Sequence, residues 1–217
     1  MKITLPKIYP ITDRKLSGLS HSEQVAQFAA AGATLIQIRE KHASSLEFYE
    51  EVVQTIAIAR PRGVKIVVND RVEIALLAGA DGIHLGQDDL PPSAARNLLG
   101  DGAIIGVSTH TLEQARRTLS DGVADYIAFG PVFETATKAD HEPVVSLERL
   151  AEIRREILGF PLVAIGGIGL ANLKSVFEAG VDSAAIISEF YKSYGTIEHA
   201  FRQLTAAASN NNNVITS

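Results

Sequence analysis

The chain has 217 residues, of which 46% are hydrophobic and 21% are charged, a balance typical of a globular domain. Its formal net charge is −5 and no basic stripe interleaves with aromatic residues, which argues against nucleic acid as its main partner. There are no cysteines, so disulfides, thiolate metal sites and a cysteine nucleophile are excluded. The N-terminus has no long apolar region and no apolar run approaches membrane-spanning length, so we expect a cytoplasmic protein without membrane contact.

Eight short apolar runs, rich in Ile and Val, alternate with amphipathic segments along the chain. Their nearly continuous apolarity is typical of parallel strands that are covered on both faces. The predicted strands are residues 8–12, 34–38, 65–68, 82–85, 104–107, 126–129, 162–165 and 184–187.

Helical patterns fill the segments between the strands. In residues 44–60, apolar residues recur at Leu46, Tyr49, Val53 and Ile56, which is a helical spacing. Three helices are predicted to open with a capping box, in which a hydroxyl and an acid or amide three residues later satisfy each other's backbone N–H groups. These pairs are Ser20 with Glu23, Ser44 with Glu47, and Thr111 with Gln114.

A weak internal repeat places a helix-ending glycine before every even-numbered strand. The glycines are Gly32, Gly79, Gly122 and Gly180, and the first predicted helix should end at Gly32. Four βαβα units with mostly short connections predict a single (β/α)8 barrel over residues 1–208, followed by a disordered polar tail over residues 209–217. An open doubly wound sheet is the second interpretation, but no G-x-G-x-x-G turn follows Thr12.

The segment after the second strand carries two cations and an amide on one face. Gln37, Arg39 and Lys41 are two residues apart, so in extended chain each side chain lies roughly 6.7 Å from the next on the same side. Cations at the mouth of a buried strand need an anion, which is either a ligand or an internal carboxylate such as Glu40.

Two carboxylates follow the third and fourth strands. Asp70 and Asp89 belong to neighbouring strand ends, where Mg²⁺ could share them with an anionic ligand. The alternative is that each caps a helix or pairs with Arg39 or Arg71. We expect Asp88 to face solvent, because neighbouring residues alternate in direction.

The later strand ends carry a glycine turn, a long connection and two histidines. Gly166-Gly167-Ile168-Gly169 is predicted to precede a helix near Leu170 and to offer backbone N–H groups to an anion, with a contribution from Ser188; the alternative is a tight turn that needs glycine. Residues 131–145 form a fifteen-residue connection that could act as a lid and bring Lys138 to an anion. We interpret His84 as structural, His110 as a secondary site candidate, and Asp13 with Arg14 as a local turn pair.

Taken in order, these motifs resemble the thiamine-phosphate synthase family over residues 8–188. The motifs that carry the resemblance are Gln37-Ile-Arg-Glu-Lys41, Asn69-Asp70-Arg71, Gly82-Ile-His-Leu-Gly-Gln-Asp-Asp89, Gly106-Val-Ser108, Gly130-Pro-Val-Phe with Thr135-Ala-Thr137-Lys138, and Ile165-Gly-Gly167-Ile. The resemblance implies a (β/α)8 barrel enzyme with one Mg²⁺ per active site. It implies a transferase that joins 4-amino-2-methyl-5-hydroxymethylpyrimidine diphosphate to a thiazole phosphate, giving thiamine phosphate and pyrophosphate by a dissociative substitution.

The resemblance also implies a role for each matched residue. Diphosphate ligands would be Arg39, Lys41, Asn69 and Lys138, and Mg²⁺ ligands would be Asp70 and Asp89. Pyrimidine-side contacts would be Gln37 and Ser108, and thiazole-phosphate contacts would be Thr135, Thr137, Gly167, Ile187 and Ser188. The implied catalytic groups are Arg39, Lys41, Lys138 and Ser108.

Two other functions remain open at this point. Thiazole phosphate tautomerases share the barrel and the glycine turn, and His110 would then carry the proton; the presence of Asp70, Asp89 and Lys138 favours the synthase. A phosphate-ligand sensor without catalysis is the third hypothesis. Glu134, where the family commonly has Pro, and Ser146, where it frequently has Gly, depart from the family pattern. The chain could also form a homo-oligomer.

Overall fold

The computed structural model describes residues 3–135, 143–192 and 195–209. Its eight strands are β1 Ile8–Thr12, β2 Leu35–Ile38, β3 Lys65–Asn69, β4 Gly82–Leu85, β5 Ile104–Thr109, β6 Tyr126–Phe129, β7 Leu162–Ile165 and β8 Ser183–Ile186. All neighbouring strands are parallel, and β8 pairs with β1 to close the barrel in the order β1 to β8. The predicted (β/α)8 barrel is therefore confirmed.

Helices cover the outside of the barrel. Within the described residues they are α1 Arg14–Ser17, α2 His21–Ala30, α3 Ser45–Ala59, α4 Val72–Ala78, α5 Pro92–Leu99, α6 Leu112–Asp121, α7 Ser146–Glu156, α8 Leu173–Glu178 and α9 Ile197–Ser209. Two 3₁₀ helices, Arg60–Arg62 and Ser188–Tyr191, complete the set. All three predicted capping boxes are present, at the starts of α2, α3 and α6.

Several predicted element ends differ from the structure; for example, β2 begins at Leu35 and the first predicted helix ends at Ala30 rather than at Gly32. The helix after β7 begins at Leu173 rather than near Leu170, and β8 ends at Ile186, one residue earlier than predicted. Ser188 opens a 3₁₀ helix that precedes α9. Ser209 is the final residue of α9 rather than the first residue of the tail, and the rest of the predicted tail lies outside the described residues.

Two apolar layers follow from the alternation of side chains along the strands. Inward residues fill the barrel with Tyr9, Ile11, Leu35, Val67, Ile104, Tyr126, Ala128, Val163 and Ala185. Outward residues of the same strands, such as Ile36, Val68 and Ile127, pack against the helices in the larger core. Because the interior of the barrel is packed with side chains, a ligand has room only at its ends.

The internal repeat has a structural cause at the amino ends of the strands. Three of the repeat segments end in an aspartate, at Asp81, Asp125 and Asp182. Each aspartate accepts a hydrogen bond from the backbone N–H of a residue in the neighbouring odd-numbered strand. The acceptor distance is 2.8 Å in each of these three bonds. Arginines of α5 and α7 bind two of the same carboxylates, at Asp125 and Asp182. The repeat thus joins adjacent strands at the end of the barrel opposite the polar strand ends.

Replacing Asp125 with alanine should destabilise the barrel. The change leaves the Ile105 N–H and the Arg96 guanidinium without their acceptor, so the free energy of unfolding should fall by about 2 kcal/mol. Guanidinium unfolding followed by circular dichroism measures the loss. Glu50→Ala, at an exposed position of α3, is the control and should stay within about 0.5 kcal/mol of the unmodified protein. Equal midpoints for the two variants would contradict this account of the repeat.

Candidate active site

A cavity of about 520 Å³ opens at the carboxyl ends of the strands. Every predicted site residue in the described part of the chain lines it: Gln37, Arg39, Lys41, Asn69, Asp70, Asp89, Ser108, Thr135, Gly167, Ile187 and Ser188. Thr137 and Lys138, which were also predicted, lie outside the described residues. The barrel therefore brings together side chains from strand ends that are as much as 151 residues apart in the sequence.

The cations after β2 are held by carboxylates of the chain itself. Gln37 lies in β2 and is buried, whereas Arg39 and Lys41 follow the strand and are progressively more exposed. Arg39 Nη1 is 3.7 Å from Asp13 Oδ2, and Lys41 Nζ donates to Asp70 Oδ2. Internal carboxylates thus balance both cations, and both nonetheless face the cavity.

Glu40, the carboxylate first considered as their partner, faces elsewhere. Its Oε1 accepts hydrogen bonds from the backbone of His42 and Ala43, and its Oε2 lies 3.5 Å from His21 Nε2 and 3.7 Å from Arg14 Nη1. Glu40 therefore shapes the turn that carries Lys41.

The prediction that Asp13 and Arg14 form a local pair is wrong, because the two charged side chains face different partners. Asp13 accepts from the Leu16 N–H at 2.9 Å and faces Arg39, while Arg14 faces Glu40. Tertiary contacts between the first two strand ends, which residue spacing does not reveal, pair these charges.

The two candidate metal carboxylates lie close together. Asp70 has a left-handed backbone (φ 62°), which aspartate tolerates better than most residues, and its N–H donates to the His84 carbonyl at 2.9 Å. Asp89 Oδ2 accepts from the Gly86 N–H at 2.6 Å. Burial raises the pKa of Asp89, and the charge and hydrogen bond of Asp70 raise it further against the opposing Gly86 N–H. Asp88 is exposed, but it also lines the cavity, which the expectation of a solvent-facing residue did not include.

This carboxylate pair fits a hard cation that completes its shell with other oxygens. Within residues 3–135, 143–192 and 195–209 there is no group of three or more His, Cys, Asp or Glu side chains that could hold a metal ion. Mg²⁺ needs no such group, because one or two carboxylates with phosphate oxygens and waters are its usual ligands. The negative charges of Asp70 and Asp89 repel each other, and a cation between them would offset that repulsion.

Asn69 offers a donor for a ligand. It ends β3, is 7% exposed, and its amide nitrogen has no hydrogen-bond partner among the described residues. A buried amide N–H without a partner costs about 1–3 kcal/mol, which an anionic ligand in the cavity would offset.

The prediction that His84 is structural did not anticipate that its side chain lines the cavity. His84 lines the cavity from β4, with Nε2 2.9 Å from Ser108 Oγ and Nδ1 2.9 Å from the Tyr126 hydroxyl. Burial lowers its pKa to about 4. The alternation of side chains along the strands could have revealed this position. His84 is paired with Gly106, which lies two residues before the predicted site residue Ser108 and therefore on the same face.

Two backbone N–H groups of the turn after β7 are hydrogen-bonded to side chains of the same chain. The Gly169 N–H donates to Asn172 Oδ1 at 2.8 Å and the Leu170 N–H donates to Glu189 Oε1 at 3.1 Å, which delays the helix to Leu173. These N–H groups are therefore bonded within the chain. Gly167 still lines the cavity.

The alternative interpretation, a tight turn that needs glycine, is confirmed by the backbone of this turn, whereas anion binding by its N–H groups stays a prediction. Gly166 and Gly167 have φ values of 102° and 63°. A Cβ on Gly166 would overlap Pro131, and one on Gly167 would overlap the Glu134 carbonyl. The turn can approach the connection after β6 this closely only without side chains.

The remaining candidates differ in their surroundings. His110 lines the cavity, and its Nδ1 lies 2.6 Å from the Gly130 carbonyl; because a carbonyl only accepts, Nδ1 carries a proton. Glu134 is exposed and does not line the cavity. Ser146 has a left-handed backbone (φ 57°), a conformation that glycine adopts without strain.

A closed (β/α)8 barrel with a polar cavity at the carboxyl ends of its strands defines the class of (β/α)8-barrel enzymes. A family model described as thiamine monophosphate synthase matches residues 8–190. The chain therefore belongs to the thiamine monophosphate synthase family, as the sequence motifs indicated.

Individual relatives agree with this family. The thiamine-phosphate synthase of Syntrophomonas wolfei is 50% identical over 183 residues, covering 83% of this chain and 86% of that protein. The thiamine-phosphate synthase of Chloroflexus aurantiacus is 42% identical over 204 residues, covering 94% and 93%. Among solved structures, thiamine phosphate pyrophosphorylase from Pyrococcus furiosus is 36% identical with a TM-score of 0.83, covering 94% of this chain and 96% of that one.

Burial of His84 should make the stability of the protein depend on pH. Its pKa is lowered in the folded state, so as pH falls below about 6.5 the unfolded state binds a proton that the folded state does not. Stability from this group is present above pH 6.5 and declines down to about pH 4, by at most about 1.4 kcal/mol per pH unit. Urea unfolding at pH 7, 6.3 and 5.6 measures the slope.

His84→Gln should reduce that slope. The same slope in both proteins would show that the His84 ring takes up a proton in the folded state.

Proposed function

We propose that the protein is a thiamine-phosphate synthase that joins the pyrimidine diphosphate to the thiazole phosphate and releases pyrophosphate. The observation that carries the proposal is the convergence of Arg39 and Lys41 with Asp70 and Asp89 on one cavity, in a chain that shares 42–50% identity with proteins named for this activity. These groups match a substrate with a diphosphate leaving group.

The cations act on the charge that develops as the leaving group departs. When the C–O bond of the pyrimidine diphosphate breaks, negative charge grows on the diphosphate, and fixed cations stabilise it in the transition state. Each well-placed donor is worth roughly 3 kcal/mol, judged from the removal of oxyanion donors in other enzymes. Lys41 would exchange Asp70 for the diphosphate, and Asn69 would donate its unpaired amide N–H.

Asp70 and Asp89 would hold Mg²⁺. When bound there, the ion supplies positive charge that neutralises the diphosphate oxygens. With the ion in place, Lys41 no longer needs to balance the Asp70 carboxylate and can contact the leaving group. Lys138, outside the described residues, is proposed as a further diphosphate ligand on its motif position.

The thiazole phosphate would lie on the opposite side of the cavity. Gly167, Ile187 and Ser188 line that side with Thr135, and Thr137 is included on its motif position. The thiazole nitrogen then attacks the pyrimidine-methyl cation directly. This route requires no protein nucleophile, which agrees with the composition of the site.

The direct test is an assay of the purified protein with both substrates and Mg²⁺. Fluorescent thiochrome should form after oxidation and dephosphorylation, with one pyrophosphate released per thiamine phosphate. Turnover of a thiazole tautomer without the pyrimidine substrate or Mg²⁺ would instead support a tautomerase that uses His110. Tight calorimetric binding with no product would support a sensor.

Asp89→Asn should strongly weaken Mg²⁺-dependent pyrophosphate release while leaving the fold intact. The amide can still accept from the Gly86 N–H, so the change removes charge without removing that bond. We expect kcat/KM to fall at least 100-fold at low Mg²⁺, with partial recovery as Mg²⁺ is raised. Asp101→Asn, at an exposed aspartate that does not line the cavity, is the matched control and should retain full activity. If both variants keep their turnover, Asp89 is not a metal ligand.

Two further expectations belong to the proposal. No helix in the described ranges is long and apolar enough to cross a membrane, and a cytoplasmic location remains a prediction. The proposed partners are the two small-molecule substrates, with neither nucleic acid nor a membrane; self-association is left to measurement.

A further inference from the structure

A line of hydrogen bonds crosses the interior of the barrel and ends at the cavity. Gln37 Nε2 lies 3.4 Å from the Tyr9 hydroxyl, and the Tyr9 and Tyr126 hydroxyls are 3.1 Å apart. The line continues from Tyr126 to His84 Nδ1 and from His84 Nε2 to Ser108 Oγ, at 2.9 Å in both bonds. Its members come from β1, β2, β4, β5 and β6, and both tyrosines are almost completely buried.

The geometry of the line depends on a glycine. The ring of Tyr126 is stacked on His84 with centroids 5.6 Å apart, and a Cβ on Gly106 would overlap the Tyr126 ring. Gly106 lies opposite His84 in the strand register and two residues before Ser108. The Gly106-Val-Ser108 motif therefore supplies both the space for the line and its last hydroxyl.

We propose that this line is a one-way hydrogen-bond chain that turns the Ser108 hydroxyl hydrogen toward the cavity, so that the site selects a ligand ring with an acceptor nitrogen. This inference rests on the proposed function and names how its pyrimidine would be recognised.

The direction follows from the donor and acceptor chemistry of each group. An amide NH₂ can only donate, so Gln37 donates to Tyr9 and the Tyr9 proton is directed to Tyr126. Tyr126 then donates to His84 Nδ1. Both ring nitrogens of His84 face hydroxyl groups and the ring is buried, so a neutral imidazole that accepts at Nδ1 must carry its proton at Nε2. That proton is donated to Ser108 Oγ, which leaves the Ser108 hydrogen for a ligand.

The reverse direction would require the Gln37 carbonyl oxygen, rather than its amide nitrogen, to face the Tyr9 hydroxyl.

The chain assigns His84, Tyr126 and Tyr9 as positioning residues. Gln37 uses its nitrogen on Tyr9, so its carbonyl oxygen is the end of the amide that can accept a hydrogen bond from a ligand amino group. Acceptor and donor together match a six-membered ring that carries an amino group beside a ring nitrogen, which is the arrangement in the aminopyrimidine substrate.

The tautomer of His84 can be measured without any ligand. The full chain labelled with ¹⁵N-histidine should show a protonated Nε2 and an unprotonated Nδ1 for His84, with the signals assigned by their loss in His84→Gln. A protonated Nδ1, or an imidazolium at pH 7.5, would overturn the proposal. This result is independent of whether the protein is a synthase.

Ligand discrimination provides the second test. The aminopyrimidine diphosphate should bind about ten times more tightly than an analogue in which the ring nitrogen beside the amino group is replaced by C–H, as measured by calorimetry. Ser108→Ala should abolish that ratio and Tyr126→Phe should reduce it at least threefold. The double variant should match Ser108→Ala alone, because both changes act on one hydroxyl.

A merely structural role for Tyr126 would weaken both ligands equally and leave the ratio unchanged, which would also overturn the proposal. Tyr49→Phe, at a half-buried tyrosine of α3, is the control for loss of a phenol hydroxyl and should keep the ratio of the unmodified protein. If Tyr126→Phe does not fold, the tautomer of the unmodified protein still decides the direction of the chain.

Discussion

The closed parallel register of the strands is the constraint on which the rest of the structure depends. Side chains alternate between the interior and the helix layer, and the register sets neighbouring strands so that Asn69 lies opposite His84 and His84 lies opposite Gly106. Closure of β8 on β1 then gives every inward side chain near the carboxyl ends one shared cavity. A shift of one residue in any strand would move its polar side chains into the apolar helix layer.

The second organising feature is the balance of charge at the mouth of the barrel. Arg39 and Lys41 face Asp13 and Asp70, so the cations are held in position by carboxylates before any anion arrives. The negative charge of Asp70 also acts on Asp89, whose pKa is raised by burial and by that neighbouring charge. The Lys41–Asp70 pair is more exposed than the Arg39–Asp13 pair, so Lys41 can exchange its partner at lower cost. This arrangement suits a site where a diphosphate and a metal ion are proposed to bind together.

Glycines at the site act by what their missing side chains allow. Gly106 makes room for the Tyr126 ring inside the barrel, and Gly166 and Gly167 let the connection after β6 lie against the turn after β7. The last two also have left-handed backbones. Function lies in such local features rather than in the barrel, because one fold can host many functions.

The sequence by itself determined the eight strands, the capping boxes and the set of residues at the strand ends, because apolar periodicity and N-terminal caps are local properties. It also indicated the family, through motifs whose order and spacing are specific. Only the tertiary structure decided which charges pair: Arg39 with Asp13 rather than Glu40, for example. It also decided that His84 belongs to the cavity and that the helix after β7 starts at Leu173. These outcomes depend on contacts between residues distant in sequence, which strand closure creates and local patterns do not encode.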